Sequence, residues 1–248
     1  MTSLASFPDG ARAAVIGASG GVGRAIVTRL ANCRTVASVH AFSRGAMNWD
    51  NDNVIAGQID LTDERSINAA AEIASGDGEL DLVIVATGIL WRDDGIRPEK
   101  TMKELDPAAL ATLFSVNTIG PVLVAKHFLP TLQKRSKTAF TAISARVGSI
   151  GDNRLGGWYS YRASKAALNM LLKTLSIEHA RLWPDSVIAG LHPGTVDTSL
   201  SKPFTGRTPK DKLFSADQSA SFLLDVIDRL QPKDSGGVFA WDGSRVEN

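Results

Sequence analysis

A lysine follows two tyrosines in the segment YSYRASK, which runs from Tyr159 to Lys165. A phenol beside an ammonium group can exchange a proton with a reacting oxygen, because the cation stabilises the phenolate and lowers its pKa from about 10. The apolar spacing of the following residues predicts a helix, where side chains four apart share a face. Tyr161 would then pair with Lys165, whereas Tyr159 would face elsewhere, as packing or as a wall of a substrate pocket.

A cluster of glycines forms a second candidate site, in the segment VIGASGGVGRAIVTRL. Gly17, Gly20, Gly21 and Gly23 follow a short apolar run and precede an amphipathic pattern. Glycines let the backbone approach a ligand closely, and the first amides of a helix attract phosphate. A tight strand-to-helix turn needs glycines even without a ligand. At the end of a first strand, however, the cluster predicts a dinucleotide phosphate site.

The next predicted strand ends in HAFSRGA, with Ser43 followed by Arg44. A site for NAD carries an acid at this point to bind the ribose 2′-hydroxyl. A guanidinium instead suits a 2′-phosphate, which it can bind through two hydrogen bonds. We therefore expect NADP(H) rather than NAD(H), although an arginine in a loop is often only a solvated surface residue. Asp60, after the third predicted strand, is by residue type a candidate helix cap.

Short apolar runs alternate with helix-length patterns along the whole chain, as in a parallel sheet covered by helices. The predicted strands cover residues 13–17, 35–42, 53–60, 80–87, 138–144, 186–192 and 237–241. Without a linker rich in Pro, Gly or Ser, residues 1–248 read as a single domain. The predicted fold is α/β, a doubly wound parallel sheet of about seven strands with helices on both faces. Residues 199–214 are expected to form a substrate lid or a surface excursion.

Composition favours small-molecule chemistry. Of 248 residues, 44% are hydrophobic and 21% charged, and the formal net charge of +1 gives no field that would favour nucleic acid or an anionic membrane. Apolar runs such as GPVLVAKHFLP look shorter than the roughly 20 residues of a membrane span. One cysteine, Cys33, and no zinc-like spacing predict neither an internal disulfide nor a metal site. A cytoplasmic location is the expectation.

The GxxxGxG spacing and the Y-x-x-x-K pair together resemble the classical short-chain dehydrogenases/reductases. The segment HPGTVDTSL is similar to that family's proline-glycine turn, and SARVGSIGDN followed by GGWYSYRASKAALNM resembles its C-factor-like and sniffer-like carbonyl reductase branch. The resemblance covers nearly the whole chain. It implies a Rossmann-type fold and an NAD(P)-dependent oxidoreductase.

The resemblance also implies site residues. The implied cofactor contacts are Gly17, Ser19, Gly20, Val22, Ser43, Arg44, Asp60, Leu61, Ala86, Gly88, Tyr161, Lys165, Pro193, Val196 and Thr198. Residues 85–87 depart from the family's asparagine-rich turn, so only backbone proximity is expected there. The backbone of Asn117 would hold a water that continues the proton path from Lys165, whereas a kink or polar contact at a helix bend is its structural alternative.

The substrate-holding serine of the family is harder to place. Alignment on Gly148 puts Ala145 where the family has its serine. Ser144 lies one residue earlier, where strand alternation could turn it to the wrong face, and Ser149 lies four residues later. Ser144 is the nominal catalytic choice, Ser149 is a substrate-contact candidate, and a third reading assigns catalysis to neither.

The resulting hypothesis is an NADPH-dependent reductase of a small neutral aldehyde or ketone, with Asn117, Ser144, Tyr161 and Lys165 as the catalytic set. Candidate pocket walls are Trp91, the segment 152–158 and the lid, which offer aromatics and few charges. The alternative is a dinucleotide-binding signalling or regulatory protein with little turnover. By resemblance, the chain would form a homodimer or homotetramer.

Overall fold

Parallel strands form the centre of the molecule. The computed structural model describes residues 4–207, 209 and 212–247. The strands in this part of the chain are β1 (Ala11–Ile16), β2 (Val36–Ser43), β3 (Val54–Gln58), β4 (Leu82–Val85), β5 (Thr138–Ile143), β6 (Ser186–His192), β7 (Thr195–Val196), β8 (Leu213–Phe214) and β9 (Val238–Ala240). Seven of them form a parallel sheet in the order β3-β2-β1-β4-β5-β6-β9, and β7 pairs with β8 separately. The strand order reverses direction between β1 and β4, and such a switch point opens a crevice at the carboxyl ends of the strands.

Helices cover both faces of the sheet. They are α1 (Gly21–Ala31), α2 (Glu64–Ser75), α3 (Pro107–Phe114), α4 (Gly120–Phe128), α5 (Tyr159–His179) and α6 (Ala216–Arg229). On one face, α1 and α6 bury residues such as Ile26 and Leu223. On the other, α2, α4 and α5 bury Ile67, Phe128 and Leu168. The predicted doubly wound fold with helices on both faces is confirmed.

Local sequence explains where several helices begin. Asp63 accepts a hydrogen bond from the Arg65 amide at the start of α2, and Ser215 and Gln218 form a capping box at the start of α6. The residues that precede α1 and α5, Gly20 and Trp158, make no such side-chain cap. These two helices begin at the predicted cofactor and catalytic sites, so their first amides are candidates for other partners.

Some details differ from the sequence expectations. The helix that carries Asn117 is not regular, because a π-helical turn, Ser115–Ile119, joins α3 to α4. In the predicted lid, a 3₁₀ helix spans Lys202–Arg207 and β8 pairs with β7, a short pairing that the sequence analysis missed. Residues 208, 210 and 211 of that segment lie outside the described part of the chain.

One sequence inference about membranes needs correction. The helical segment Pro107–Thr131 is 25 residues long, and its most apolar window of 18 residues has a mean hydropathy of 1.7, enough by length and composition to cross a membrane. The sequence analysis considered only the run GPVLVAKHFLP and missed this length, because α3, the π turn and α4 form one continuous helical segment. In the structure, Val124 and Phe128 of this segment are fully buried against the sheet, whereas 39% of the apolar window as a whole is buried.

Candidate active site

The glycine-rich turn lies at the carboxyl end of β1, beside β4. Gly17 has φ of +94°, and a Cβ there would lie 2.8 Å from Thr87 Cγ2 and 2.9 Å from the Ala86 carbonyl group. A Cβ on Gly23 would collide with the Gly17 carbonyl oxygen. Larger residues are therefore excluded by the turn's own backbone and by the end of β4. This explains the glycines by packing alone, independent of any ligand.

The same turn also suits a dinucleotide phosphate. The first turn of α1 carries no side-chain cap, so its amides face the crevice without a protein side chain to bind them. A Cβ on Gly21 would lie 2.6 Å from Thr198 Cγ2, which places the turn after β6 directly against the glycine-rich turn. Uncapped amides, a positive helix end and a glycine surface at a switch point together fit the pyrophosphate of NAD(P).

Arg44 and Ser43, at the end of β2, differ in their surroundings. Arg44 is an exposed cation, whereas the hydroxyl of Ser43 already has a hydrogen-bond partner. Arg44 is exposed, and its charge contributes to lowering the pKa of Asp60, after hydrogen bonds from Thr62. Ser43 is buried and donates its hydroxyl hydrogen to the Gly45 carbonyl at 2.6 Å. In this geometry the Ser43 hydroxyl hydrogen is already used, so the implied cofactor contact of Ser43 is not a donated hydrogen bond.

Asp60 is not the helix cap that the sequence analysis allowed. Its carboxylate accepts hydrogen bonds from the amide and hydroxyl of Thr62, and the cap of α2 is Asp63 instead.

Trp49, which no sequence signal indicated, lies under the guanidinium of Arg24 at 5.0 Å. Its buried indole Nε1 has no hydrogen-bond partner among the described residues. Arg24 and Trp49 thus extend the polar and aromatic surface near the start of α1.

Tyr161 and Lys165 lie on the buried face of α5, as their spacing predicted. Tyr161 is 8% exposed and Lys165 is 1% exposed, whereas Tyr159 is 41% exposed. The Lys165 ammonium lies 5.9 Å from the centre of the Tyr161 ring and donates a hydrogen bond to the Ile143 carbonyl at 2.7 Å. The lysine is thereby fixed at the end of β5.

The segment that follows β4 also lies close to Lys165. A Cβ on Gly88 would lie 3.5 Å from Lys165 Nζ and 3.5 Å from Asn117 Oδ1. Gly88 therefore lies between two predicted catalytic residues, at the edge of the sheet where β1 and β4 separate. The phosphate turn and the tyrosine-lysine pair therefore lie against the same segment, residues 86–88 after β4.

Burial dominates the proton affinities of the pair. It raises the pKa of Tyr161 to about 12 and lowers the pKa of Lys165 to about 7. The sequence analysis expected the lysine charge to lower the pKa of Tyr161, and this is corrected, because the loss of hydration outweighs that attraction. At neutral pH Tyr161 holds its proton, the state that a proton donor requires.

Asn117 is fully buried at the centre of the π turn. Its side-chain oxygen accepts a hydrogen bond from the Ile89 amide, and its side-chain nitrogen donates to the Ile89 carbonyl and to Ser164 Oγ. The side chain is thus committed to holding the segment after β4. The π turn widens the helical hydrogen-bond ladder at this residue, as such turns often do at functional sites. Only the backbone of Asn117 remains for a role in proton transfer.

The structure corrects the assignment of Ser144. Its hydroxyl donates to Asn169 Oδ1 at 2.6 Å, two turns along α5 from Tyr161, and its side chain is 1% exposed. Strand alternation turns the next residue the other way, and Ala145 packs in the apolar cluster that contains Tyr161. Ser149 is buried, and its hydroxyl accepts the Asp152 amide in the following turn.

An apolar cluster surrounds the tyrosine. It contains Leu90, Ile96, Leu113, Ala145 and Tyr161, with Trp91, Val147, Trp158, Leu200 and Phe204 packed against it. Trp158 contacts Tyr161 edge to face with ring centres 6.2 Å apart, so Trp158, rather than Tyr159, is its aromatic neighbour. Sequence reasoning included Trp158 only as the end of an insert. Its placement depends on a left-handed backbone at φ of 52°, which no sequence pattern revealed.

The remaining predicted cofactor contacts border the crevice. In the turn after β6, the Pro193 carbonyl accepts a hydrogen bond from Ser219, and Val196 is buried in β7. Ser19 is exposed beside the glycines, and Val22 is partly buried in the first turn of α1. Leu61 lies deeper, against Gly120, where a Cβ would lie 2.8 Å from that of Leu61.

Comparison with known proteins agrees with this geometry. The family model for short chain dehydrogenases matches residues 11–208. A curated relative, 1-hydroxy-2-glutathionyl-2-methyl-3-butene dehydrogenase of Rhodococcus sp. (strain AD45), is 34% identical over 76% of this chain and 78% of that protein. The C-signal protein of Myxococcus xanthus is 34% identical over 68% of this chain and 93% of its own length.

Solved structures extend the similarity to nearly the full chain. The NADPH-bound carbonyl reductase from chicken fatty liver matches with a TM-score of 0.85 and 28% identity, covering 98% of this chain and 96% of that one. The carbonyl reductase Sniffer of D. melanogaster matches with a TM-score of 0.83 over 98% of this chain and all of that one. At 22% identity, the second similarity supports the fold.

Proposed function

The chain belongs to the short-chain dehydrogenase family, and we propose that it reduces a small neutral aldehyde or ketone with NADPH. It is an NAD(P)-dependent oxidoreductase of the carbonyl reductase branch. The observation that carries the proposal is that an uncapped glycine-rich helix start and a buried Tyr161–Lys165 pair lie against the same segment after β4. The bound cofactor would supply the hydride.

The protein's own residues supply the proton and the geometry. Tyr161 donates its proton to the carbonyl oxygen as negative charge develops there, and its high pKa keeps that proton in place at neutral pH. Lys165 is fixed at the end of β5 through the Ile143 carbonyl and would bind the cofactor ribose. The backbone of Asn117, in the π turn, would hold the water that relays a proton to Lys165.

NADPH is preferred over NADH in this proposal. Arg44 follows β2 without a neighbouring acid at the position where an NAD site needs one, and its side chain is exposed. The chicken carbonyl reductase with 28% identity was solved with NADPH bound. Arg24, on the first turns of α1, adds a second cation near the same corner.

A neutral, moderately apolar substrate follows from what surrounds Tyr161. Its neighbours are aliphatic and aromatic, including Trp91, Trp158 and Phe204. The cations that could have turned inward are exposed: Arg92, Arg146, Arg154 and Lys202. Arg92 is paired with Asp94 at 2.9 Å, and Arg146 lies 4.0 Å from Asp152. A charged substrate would lose hydration in this cluster without a fixed partner.

A screen of NADPH consumption tests the proposal. Neutral, carboxylated and phosphorylated aldehydes and ketones would be compared at equal concentration, with product alcohols identified by mass spectrometry. We expect turnover with neutral, moderately apolar carbonyls. A strong preference for an anionic carbonyl that disappears on neutralising Arg92, Arg146, Arg154 or Lys202 would contradict the neutral-substrate proposal.

A second function, dinucleotide binding with signalling and little turnover, draws on two observations. Ala145 replaces the family's substrate-holding serine, and the M. xanthus relative is named C-signal. Tight NADPH binding without consumption across the whole carbonyl panel would favour this second function. The buried Tyr161–Lys165 pair argues for turnover.

The proposal includes a homodimer or homotetramer in the cytoplasm. Ile119, Met170 and Ile177 on the π turn and α5 are each more than half exposed, an apolar surface that a partner copy would cover. Light scattering at micromolar concentration should give a multiple of the 26.4 kDa chain mass. A monomer mass would contradict the oligomer proposal.

A further inference from the structure

The start of α5 is held by a residue distant from it in sequence. Trp158, which precedes the helix, provides no side-chain cap. The cap comes instead from Glu99, in the loop between β4 and α3. Its carboxylate accepts a hydrogen bond from the Ser160 amide at 3.2 Å and a second, short one from the Ser160 hydroxyl.

Glu99 holds the same place through its backbone. Its carbonyl oxygen accepts a hydrogen bond from the Trp158 amide at 2.5 Å. Gly157 precedes that amide with φ of +65°, and a Cβ there would lie 3.4 Å from the same carbonyl oxygen. One residue thus binds both Trp158 and Ser160, the residues immediately before and within the first turn of the helix.

The environment of Glu99 shows that this contact is built into the fold. Glu99 is 4% exposed and Ser160 is 1% exposed. In the described part of the chain, no lysine, arginine or histidine forms an ion pair with Glu99. A buried carboxylate without a cation is stabilised by hydrogen bonds and by the positive end of a helix, and the start of α5 offers both.

The residues fixed by Glu99 are neighbours of the proposed proton donor. Ser160 is adjacent to Tyr161, the proposed proton donor. Trp158 contacts the Tyr161 ring and lies edge to face with Phe204 at 5.3 Å. Trp158 also has φ of 52°, a conformation that a non-glycine residue holds only under constraint. A shift of this turn would move the donor and the aromatic wall together.

We propose that Glu99 is a positioning residue, which caps α5 from another loop and fixes Tyr161 and Trp158 for proton transfer. This inference rests on the proposed reductase function. It predicts that loss of the carboxylate lowers kcat while NADPH binding is kept, because the glycine-rich turn of α1 lies elsewhere on the crevice.

The test compares Glu99→Ala and Glu99→Gln with a matched control, Glu104→Ala. Glu104 lies in the same loop and also accepts a backbone amide, that of Lys100 at 2.7 Å, but it is exposed. Four quantities would be measured: kcat and KM with the best carbonyl of the screen, the NADPH Kd, the melting temperature, and hydrogen exchange in peptides covering 157–163. Glu99→Gln keeps the acceptor atom without the charge and should recover part of the loss.

We expect Glu99→Ala to speed amide exchange in 157–163 about tenfold and to lower kcat by about 10- to 100-fold, with NADPH Kd within about twofold. Glu104→Ala should match the wild type. Unchanged exchange, unchanged kcat, or an equal loss of NADPH affinity would overturn the positioning role. If the wild type reduces no carbonyl, the proposed function fails, and the exchange measurement still decides whether Glu99 fixes the helix start.

Discussion

The segments that follow β1 and β5 reach the same edge of the sheet but are built in different ways. After β1, the backbone itself forms the site, with glycines that exclude side chains and a helix start whose amides are uncapped. After β5, the site depends on which side chain faces the crevice: Ala145 does, and Ser144 does not. A site formed by backbone amides can be identified even when the sequence alignment is off by one residue. A site formed by side chains cannot, because a shift of one residue along a strand presents the opposite face.

Tyr161→Phe should give the largest effect, because it removes the proton donor from the side-chain half of the site and leaves the backbone half intact. We expect kcat for carbonyl reduction to fall by about 10²–10⁴-fold with unchanged NADPH affinity. Steady-state kinetics and a fluorescence titration measure the two quantities. Tyr159→Phe, at an exposed position, is the control. Wild-type turnover by Tyr161→Phe would remove Tyr161 from the mechanism.

Lys165→Met should abolish turnover and yet stabilise the fold. Burial holds the pKa of Lys165 at about 7 in the folded chain, below its ordinary value of 10.5, so the unfolded chain binds more protons between these values. The wild-type free energy of unfolding should therefore rise as pH increases from about 7 to 10.5. At pH 7 the methionine variant should be more stable by a few kcal/mol, from about 1.4 kcal/mol per pKa unit.

Denaturant unfolding of both proteins across this pH range tests the stability of Lys165→Met. Lys137, whose pKa burial lowers to about 8, contributes a similar slope to both proteins, so their difference isolates Lys165. Lys126→Met, at an exposed lysine paired with Glu64, should change stability little. A methionine variant that is less stable than the wild type at pH 7 would show that the buried ammonium has a compensating partner.

Arg44→Asp tests the side chain that we propose selects NADPH over NADH. Loss of a charged hydrogen bond of about 1.5–3 kcal/mol should weaken NADPH binding by about 10- to 100-fold and leave NADH binding nearly unchanged. Arg34→Asp, an exposed arginine before β2 at the opposite edge, is the matched control. Equal affinities of the wild type for NADPH and NADH would mean that Arg44 does not select the cofactor.

Gly23→Ala tests the glycine-rich turn after β1, the part of the site that the backbone forms. The added Cβ would meet the Gly17 carbonyl oxygen, so the turn must shift at a cost of about 1–3 kcal/mol. We expect a lower melting temperature and weaker NADPH binding. Gly76→Ala adds the same group where its nearest atom is 3.5 Å away, and should behave as wild type. Undiminished NADPH affinity in Gly23→Ala would separate the turn from the cofactor.

Ala145→Ser tests the site after β5 by adding the hydroxyl that this position lacks. Beside Tyr161, it can donate to the carbonyl oxygen, and a net hydrogen bond of about 1 kcal/mol corresponds to a rise in kcat of about fivefold. Ser144→Ala should leave kcat unchanged, because its hydroxyl binds Asn169. A loss of kcat in Ser144→Ala alone would restore Ser144 as the catalytic serine.

The sequence predicted the fold and the backbone site, because both depend on repeated patterns. Strand and helix alternation specified the seven-stranded sheet, and helical spacing separated Tyr161 from Tyr159. The direction of Ser144 required the register of one strand. The role of Trp158 required a left-handed backbone conformation, and the cap from Glu99 required a contact across 61 residues. Strand alternation raised the question for Ser144 without answering it, and the other two leave no periodic signal.

Transfer of deuterium from NADPH that carries deuterium at both hydrogen positions of the nicotinamide C4 tests the central claim most directly. The wild-type protein would be incubated with a neutral carbonyl from the screen, and the alcohol analysed by mass spectrometry. The account predicts one deuterium on the former carbonyl carbon, and greatly reduced transfer in Tyr161→Phe despite retained NADPH binding. An alcohol without deuterium, or consumption of NADPH without any alcohol, would contradict the assignment of this crevice as a carbonyl reductase site.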